Sequence, residues 1–384
     1  MNIGVFFGSR SPEHDVSIIT GEFIISGLKK LNYEVAPVYL DKQGRWFLSD
    51  ELSKLSFFKD GGDLSKLKPY YLDLEKSIGK MVFKQKGMMG KEIIIDLAFP
   101  AFHGQNGEDG TIQGLFELCN IPYVGCDVAS SAITMDKVLT KEFYLAHNIK
   151  TTKFISFSAH DFASAKEKIL QKISELKYPL FIKPARLGSS IGIAKAKNQQ
   201  ELEQGIEVSL HYENKILVEE GVEDLMDVTC AVLGNENPRA SVLQESLFNE
   251  DLFSYEDKYL EEGGAQLGNA EDKLKIPARL DQNITKQTQE LAVKIYKLFG
   301  CSGISRVDFL YDKKANIMYA NEINTLPGTL YHHLWQKSGV EFEELLKELI
   351  NLAQEKYTDK QKLTSSFESE ILKQANSIKL KQKN

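Results

Sequence analysis

Arg306, Asp308, Glu322 and Asn324 are the side chains in this sequence whose types and spacing most directly suggest chemistry. Arg306 and Asp308 alternate with Val307, Phe309 and Tyr311. Glu322 and Asn324 stand two apart at the end of a second apolar-rich run, Ile317, Tyr319, Ala320 and Ile323. The turn residues from Asp312 to Asn316 separate the runs, so the pattern predicts two adjacent strands. Residues two apart on a strand share a face. Pairing would therefore bring one cation and three oxygen-bearing side chains onto one small patch. Asp, Glu and Asn are hard oxygen donors of the kind Mg²⁺ takes beside substrate phosphates. Either strand alone would pass for a solvated hairpin face with ordinary charge pairs. Both together, followed at once by Pro327-Gly328, favour a site.

Three further stretches are chemically loaded. F-I-K-P-A-R-L-G-S-S-I-G puts Lys183 at the end of an apolar strand and Gly188-Ser189-Ser190-Ile191-Gly192 in a small mobile hairpin. Backbone N–H groups and hydroxyls in such a loop can fold over phosphates, with a lysine beside them neutralising charge. Glycine and serine are also ordinary turn chemistry, and no G-x-x-x-x-G-K-[ST] loop exists in the chain. F-P-A-F-H-G-Q-N-G-E-D-G-T-I-Q-G ends another buried strand. Four glycines within 103–114 allow close backbone approach, and His103, Glu108 and Asp109 project from that turn. In the first loop, G-S-R-S-P-E-H-D, Glu13 either faces a ligand or serves as a helix N-terminal carboxylate. Finally, 216–220 is a strand ending in Glu219 and Glu220, suited to an adenine amino group and ribose hydroxyls, and 253–277 is a long polar stretch bearing Tyr255, Lys258 and Tyr259. Long loops of this kind in enzymes are commonly lids.

The elements that must position these groups alternate along the chain. Ile3 to Phe7 is an apolar strand, a polar loop follows, and a helical pattern starts near Ser17 with Ile18, Ile19, Phe23, Ile24 and Leu28 in phase. This strand–loop–helix opens an α/β unit with an open parallel sheet, where ligands gather at strand carboxyl ends. The absence of G-x-G-x-x-G opposes a dinucleotide reading. Residues 41–90 read as an inserted loop and hairpin (70–74, 81–85). Strand (153–157), helix (161–173), strand (180–183), strand (191–194), helix (199–210) and strand (215–219) come next. A second sheet (226–233, 240–244), an amphipathic helix (282–299), the paired strands and a last helix (342–357) complete the fold.

At 384 residues there is room for two or three domains. A net charge of −7 gives no reason to invoke nucleic acid or an anionic membrane, and no apolar run approaches bilayer length. Cys119, Cys126, Cys230 and Cys301 are scattered without metal-ligand spacing, which suits a reducing, cytoplasmic compartment. Met1 to Gly8 lacks the basic lead of a signal peptide, and the Lys-rich end, 373–383, reads as a frayed tail.

With these pieces in order, the chain resembles the ATP-grasp enzymes and, within them, the D-alanine–D-alanine ligases. The matching stretches are S-P-E-H-D-V-S (11–17), H-G-Q-N-G-E-D-G (103–110), M-D-K (135–137), K-P-A-R-L-G-S-S-I-G (183–192), Y-E-D-K-Y (255–259), R-V-D (306–308) and N-E-I-N-T-L-P-G (321–328). The resemblance implies a three-domain ATP-grasp fold: an N-terminal α/β substrate domain (1–126), a central subdomain (127–219), a C-terminal catalytic domain (220–360) and a polar tail (361–384). It implies ATP-dependent joining of two D-alanines through an acyl phosphate, for peptidoglycan precursors. Lys137 and Lys183 would contact phosphates, with Ser189 and Ser190 on the closing loop and Lys258 on the lid. Glu219, Glu220, Val222 and Asp227 would surround adenine and ribose, and Asp308, Glu322 and Asn324 would bind two Mg²⁺ (or Mn²⁺) ions. Glu13 would hold the first ammonium, and His103, Tyr259 and Ser189 would cluster near the second amine. Arg306 and the Gly328 N–H would stabilise the oxyanion. Dimers are common among such ligases, so a homodimer is expected.

The chain departs from the family pattern at Asp227, where Glu is usual, and throughout Thr329-Leu330-Tyr331-His332-His333-Leu334. His333 stands where a serine normally meets the second substrate's carboxylate, beside Leu334. A different second substrate (D-serine, D-lactate or another amino acid) is therefore the alternative. If His333 makes that contact, second-site binding should weaken as pH rises through its pKa.

Overall fold

The computed structural model describes residues 1–87, 90–247, 273–364, 366, 368–369 and 371. In chain order the elements are β1 (Asn2–Gly8), α1 (His14–Lys30), β2 (Glu34–Leu40), β3 (Trp46–Leu48), α2 (Leu55–Lys59), β4 (Tyr70–Leu72), β5 (Met81–Gln85), β6 (Glu92–Ile95), β7 (Leu97–Pro100) and α3 (Thr111–Leu118). Next come α4 (Val128–Met135), α5 (Lys137–Ala146), β8 (Phe154–Ser158), α6 (Ala159–Ile173), β9 (Leu180–Pro184), β10 (Ala194–Ala196), α7 (Gln199–Leu210) and β11 (Lys215–Glu220). The last third holds β12 (Leu225–Leu233), β13 (Arg239–Ser246), β14 (Leu274–Lys275), α8 (Gln282–Leu298), β15 (Ile304–Asp312), β16 (Ile317–Asn324), α9 (His332–Lys337) and α10 (Phe342–Gln361). Among the described residues, no helix is long and apolar enough to cross a membrane.

The strands form three sheets, of order β6-β5-β4-β3-β2-β1-β7, β10-β9-β11-β8 and β14-β13-β12-β15-β16. The first is mixed rather than parallel. Only β2, β1 and β7 run parallel, α1 supplying the crossover from β1 to β2. The 41–90 stretch does not loop out as an insertion. It returns as short strands, each antiparallel to its neighbour, that extend the same sheet to β6. Parallel pairing needs a crossover of a dozen residues or more, which the short β2–β3, β4–β5 and β5–β6 connections cannot supply; the longer β3–β4 connection carries α2.

Two boundaries also differ from the expectation. α1 begins at His14, with Glu13 as its N-cap and the Glu13 carbonyl accepting the Ser17 N–H at 3.1 Å. The strand expected over 191–194 starts only at Ala194, because Ser189, Ser190 and Gly192 all have positive φ and break the extended run.

One apolar core ties the two ends of the chain together. Phe7 of β1, Ile24 and Leu28 of α1, Ala231 and Leu233 of β12, Ile304 of β15, Trp335 of α9 and Leu346 and Leu349 of α10 are buried in a single cluster. Burying such side chains stabilises by roughly 1.5–3 kcal/mol each. The loops at the end of the first sheet are thereby held against the third sheet. α8 closes the other face of the third sheet, packing Ile295 and Tyr296 on Val228, Val307 and Phe309. α6 and α7 cover the four-stranded sheet through Ile173 and Ile206.

Candidate active site

β15 and β16 pair antiparallel, with Asp308 opposite Glu322 and Arg306 opposite Asn324. The alternation that would carry this register onward is broken by a bulge: Phe309 faces Ala320, leaving Asn321 as the extra residue. The bulge lets Ile323 and Ala320 both enter the core with Val307 and Phe309 while Glu322 and Asn324 stay on the opposite, polar face. There Arg306 Nε lies 2.9 Å from both Asp308 oxygens, its Nη2 2.5 Å from Oδ2, and Glu322 Oε1 lies 3.8 Å from Nη2. Thr229 Oγ1 donates to Asp308 Oδ1 at 2.9 Å, and Asn324 Nδ2 donates to Oδ2 at 3.1 Å. Tyr331 places its ring 5.0 Å beneath the guanidinium.

The first sheet contributes two loops to this patch. Ser17 links them: it accepts the Gly8 N–H and donates to the Ala101 carbonyl, both at 2.8 Å. Ser11 Oγ donates to the His103 carbonyl at 2.8 Å, so Glu13 and His103 are brought to the same cavity. Glu13 is buried, and Ser189 Oγ donates to its Oε1 across from the central loop. Gly104 and Gly188 both pack on that carboxylate: a Cβ on Gly188 would lie 2.8 Å from Oε2, and one on Gly104 would collide with it. His103 Nε2 meets Thr20 Oγ1 at 2.9 Å. Burial, reinforced by the Arg306 charge, pulls the His103 pKa down to about 4, so its ring is neutral near pH 7. Glu108 accepts the Gly104 N–H at 2.7 Å, while burial and the Glu13 charge push its pKa up to about 8.

Two cavities meet here. One is lined by Glu13, His103, Glu108, Arg306, Asn324 and Gly328, among others. The other, about 790 Å³ counting its open mouth, is a cleft between the second and third sheets, of a size that suits one nucleotide. Lys183, Ser190, Glu219, Glu220, Val222 and Asp227 line it. Lys137, Leu187, Gly188, Ser189 and Glu322 belong to both. Lys137 Nζ donates to the Leu187 carbonyl at 2.5 Å and lies 3.8 Å from Glu322 Oε2.

Not every expected residue stands as read from the chain. Glu219 lines the cleft, but its oxygens are taken. Lys183 sits on Oε1, while Lys141 at 2.7 Å and Thr152 at 2.6 Å occupy Oε2. Burial alone would raise the Glu219 carboxyl, and the two ammoniums instead hold it well below the usual carboxylate range. Glu220 accepts the Lys177 N–H at 3.1 Å. His333 and Leu334 line neither cavity. Leu334 is in the core, and His333 Nε2 pairs with Gln244 Oε1 at 2.7 Å. Burial, aided by His332 and Arg306, pulls the His333 pKa down to about 3. The expected pH-sensitive carboxylate contact therefore has no support: the ring is neutral and turned to β13. Lys258 and Tyr259 lie outside the described residues. Reading the chain alone missed Lys141, Thr152, Thr20 and Gln244. Only Lys141 left a signal, one helical turn after Lys137 on the same face.

Family comparison decides what this constellation belongs to. The "D-ala D-ala ligase N-terminus" family matches residues 2–126, and the "D-ala D-ala ligase C-terminus" family matches 143–351. The chain belongs to the D-alanine–D-alanine ligase family. A D-alanine–D-alanine ligase of Thermosipho melanesiensis is 38% identical, the match covering 97% of this chain and 98% of the relative. One from a Thermoanaerobacter species is 39% identical over 93% and 98%. Among solved structures, the D-alanine–D-alanine ligase of Coxiella burnetii superposes with a TM-score of 0.78 at 30% identity, covering 94% of this chain and 96% of that one. VanG D-Ala:D-Ser ligase of Enterococcus faecalis gives 0.77 at 33%, covering 92% and 99%. The three-sheet α/β architecture is the ATP-grasp fold of these ligases.

The donor set beside Arg306 suits a divalent cation. Asp308 and Glu322 offer carboxylates, and Asn324, with its Nδ2 committed to Asp308, keeps its carbonyl oxygen. Among the described residues, no group of three His, Cys, Asp or Glu side chains stands ready to cage an ion. Two carboxylates with phosphate oxygens completing the shell is the arrangement Mg²⁺ accepts.

Proposed function

We propose that this protein joins two D-alanine molecules into D-alanyl-D-alanine at the expense of ATP, through an acyl phosphate, as a step toward peptidoglycan precursors. The observation that carries this is the sharing of Lys137, Gly188, Ser189 and Glu322 between the substrate cavity and the nucleotide cleft. A carboxylate held in the first cavity would meet the terminal phosphate of a nucleotide in the second where a lysine can neutralise the transferred charge.

Glu13 binds the ammonium of the first D-alanine, which orients its carboxylate toward Lys137. That carboxylate attacks the γ-phosphate, giving the acyl phosphate and ADP. Lys137 and Lys183 offset charge on the phosphates. Asp308, Glu322 and Asn324 would hold Mg²⁺ (or Mn²⁺), two ions in the family pattern, supplying charge neutralisation between phosphates. The second D-alanine, its amine deprotonated, attacks the acyl carbon. Arg306 and the Gly328 N–H face the oxyanion, and collapse releases inorganic phosphate. His103, neutral and fixed by Thr20, offers a ring nitrogen rather than a charge to the incoming amine. Ser189 reaches Glu13 from the glycine-serine loop, which screens the junction from water; Tyr259 and Lys258 complete the proposed cluster from the lid. Ser190, Glu220, Val222 and Asp227 flank the base and ribose.

The unit boundaries near 126 and 219, a homodimer and a cytoplasmic location belong to the same reading. The test is phosphate release with ATP, Mg²⁺ and D-alanine, repeated with D-serine or D-lactate present and products identified by mass. D-alanyl-D-alanine as the main product is expected; a dominant mixed product would shift the second substrate to the alternative.

A further inference from the structure

Lys141 has no part in this scheme, yet it is 1% exposed, among the most deeply buried charges of the described residues. It does not line the nucleotide cleft. Its ammonium is directed at Thr151 Oγ1 (2.7 Å), Thr152 Oγ1 (2.9 Å) and Glu219 Oε2 (2.7 Å), with the Phe154 ring 5.9 Å away. Thr152, accepting from Lys141, donates its own hydroxyl hydrogen bond to Glu219 Oε2. The remaining oxygen of Glu219 holds Lys183, which does line the cleft. One buried carboxylate thus has two buried ammoniums. Folding alone calls for a single partner, since a second desolvated cation is costly. The doubling makes sense if one of the two lysines has to leave.

We propose that Lys141 is a positioning residue that keeps Glu219 fixed and ionised, so that Lys183 can exchange that carboxylate for nucleotide phosphate. The proposal rests on the nucleotide reading of the cleft. Lys183 is docked on Glu219. When phosphate arrives Lys183 turns toward it, and Glu219 keeps Lys141 and Thr152. Without Lys141 the same move would strand a buried anion, so Lys183 would stay and nucleotide affinity would fall.

The test uses the full chain with MgADP as calorimetric probe. Lys141→Met, close in shape but uncharged, should weaken MgADP binding about tenfold or more, because releasing Lys183 then leaves Glu219 unpaired. The KM for ATP should rise in parallel while the KM for D-alanine at saturating ATP stays within about twofold, a split that general loosening of the fold does not produce. Thr152→Val, which removes the other hold on Oε2 with little change of shape, should act in the same direction and covers the case that Lys141→Met does not fold. Lys141→Met/Glu219→Gln should bind MgADP better than Lys141→Met, because Lys183 is no longer retained. Unchanged MgADP affinity in folded Lys141→Met and Thr152→Val overturns the proposal, as does a double variant no better than the single one. Lys183→Ala is the reference: if it too leaves MgADP affinity unchanged, the nucleotide reading of the cleft fails and the role of Lys141 falls with it.

Discussion

The two histidines kept neutral beside the site make a measurable claim about acid stability. An imidazole in an unfolded chain titrates near 6.5, while burial lowers His103 to about 4 and His333 to about 3. Between those values and 6.5 the unfolded state binds protons that the folded state refuses. The stability these groups permit is therefore whole above pH 6.5 and is lost as pH falls, until the folded pKa is reached. Going from pH 7 to pH 5, each histidine costs about 2 kcal/mol, so the pair costs ~4 kcal/mol, a large part of a typical folding free energy. Glutamine keeps a hydrogen-bonding head without taking up a proton. His333→Gln should make the loss between pH 7 and pH 5 smaller by about 2 kcal/mol, and adding His103→Gln should roughly double the saving. Urea unfolding at both pH values, with m checked for constancy, is the assay. Equal pH sensitivity of wild type and His333→Gln would refute the reasoning, since it would mean that the ring is protonated or solvated in the folded state. The same neutrality predicts that the second-substrate KM carries no histidine titration from His333 above about pH 5.

Lys183→Ala should raise the KM for ATP far more than that for D-alanine; steady-state kinetics with each substrate varied will tell, and a larger effect on D-alanine would count against the phosphate role. Asp308→Ala should abolish ligation and also cost up to roughly 3–5 kcal/mol of stability, because buried Arg306 loses its nearest carboxylate and the more distant Glu322 offsets only part of the loss; a denaturation curve unchanged from wild type would argue against that pairing. Gly104→Ala should weaken first-site D-alanine binding, because the added methyl would displace Glu13 Oε2, sit 2.7 Å from Ser11 Oγ and strain a φ of +69°. Unchanged first-site affinity would place the ammonium elsewhere.

The organising strand pair could be read from residue order because alternation in 305–311 directly reports which side chains share a face. Even the broken alternation at Tyr319-Ala320, two apolar residues in succession, was the trace of the bulge at Asn321. What periodicity cannot report is which strand becomes whose neighbour. The short runs at 70–72 and 81–85 look the same whether they form a separate hairpin or extend the first sheet, and only the connections decide. The Glu219 network was hidden for a similar reason. Its members lie on α5, on β9 and β11, and in the segment before β8, and a lysine on a helix carries no mark of burial. The direction of His333 is not legible in the sequence because its partner, Gln244, is 89 positions away on β13; a resemblance to the family after Pro327-Gly328 says where the backbone passes, not where the ring turns.

The backbone of that segment sets the direction of the His333 ring. Thr329, Leu330 and Tyr331 all adopt left-handed φ, at +46°, +57° and +48°. For residues with a Cβ this costs on the order of 1–2 kcal/mol each. Such a run persists only where its surroundings over-determine it, and here they do. Leu330 enters the core shared by α1, α9 and α10, and Tyr331 lies under Arg306. A left-handed turn rotates the following side chains away from the directions a right-handed one would give them, so His333 points at β13 while Tyr331 takes the place beside the guanidinium. The strain thus lies directly after Gly328, whose N–H the proposed mechanism sets with Arg306 against the reacting carbon. The core that joins both chain ends is what holds it there.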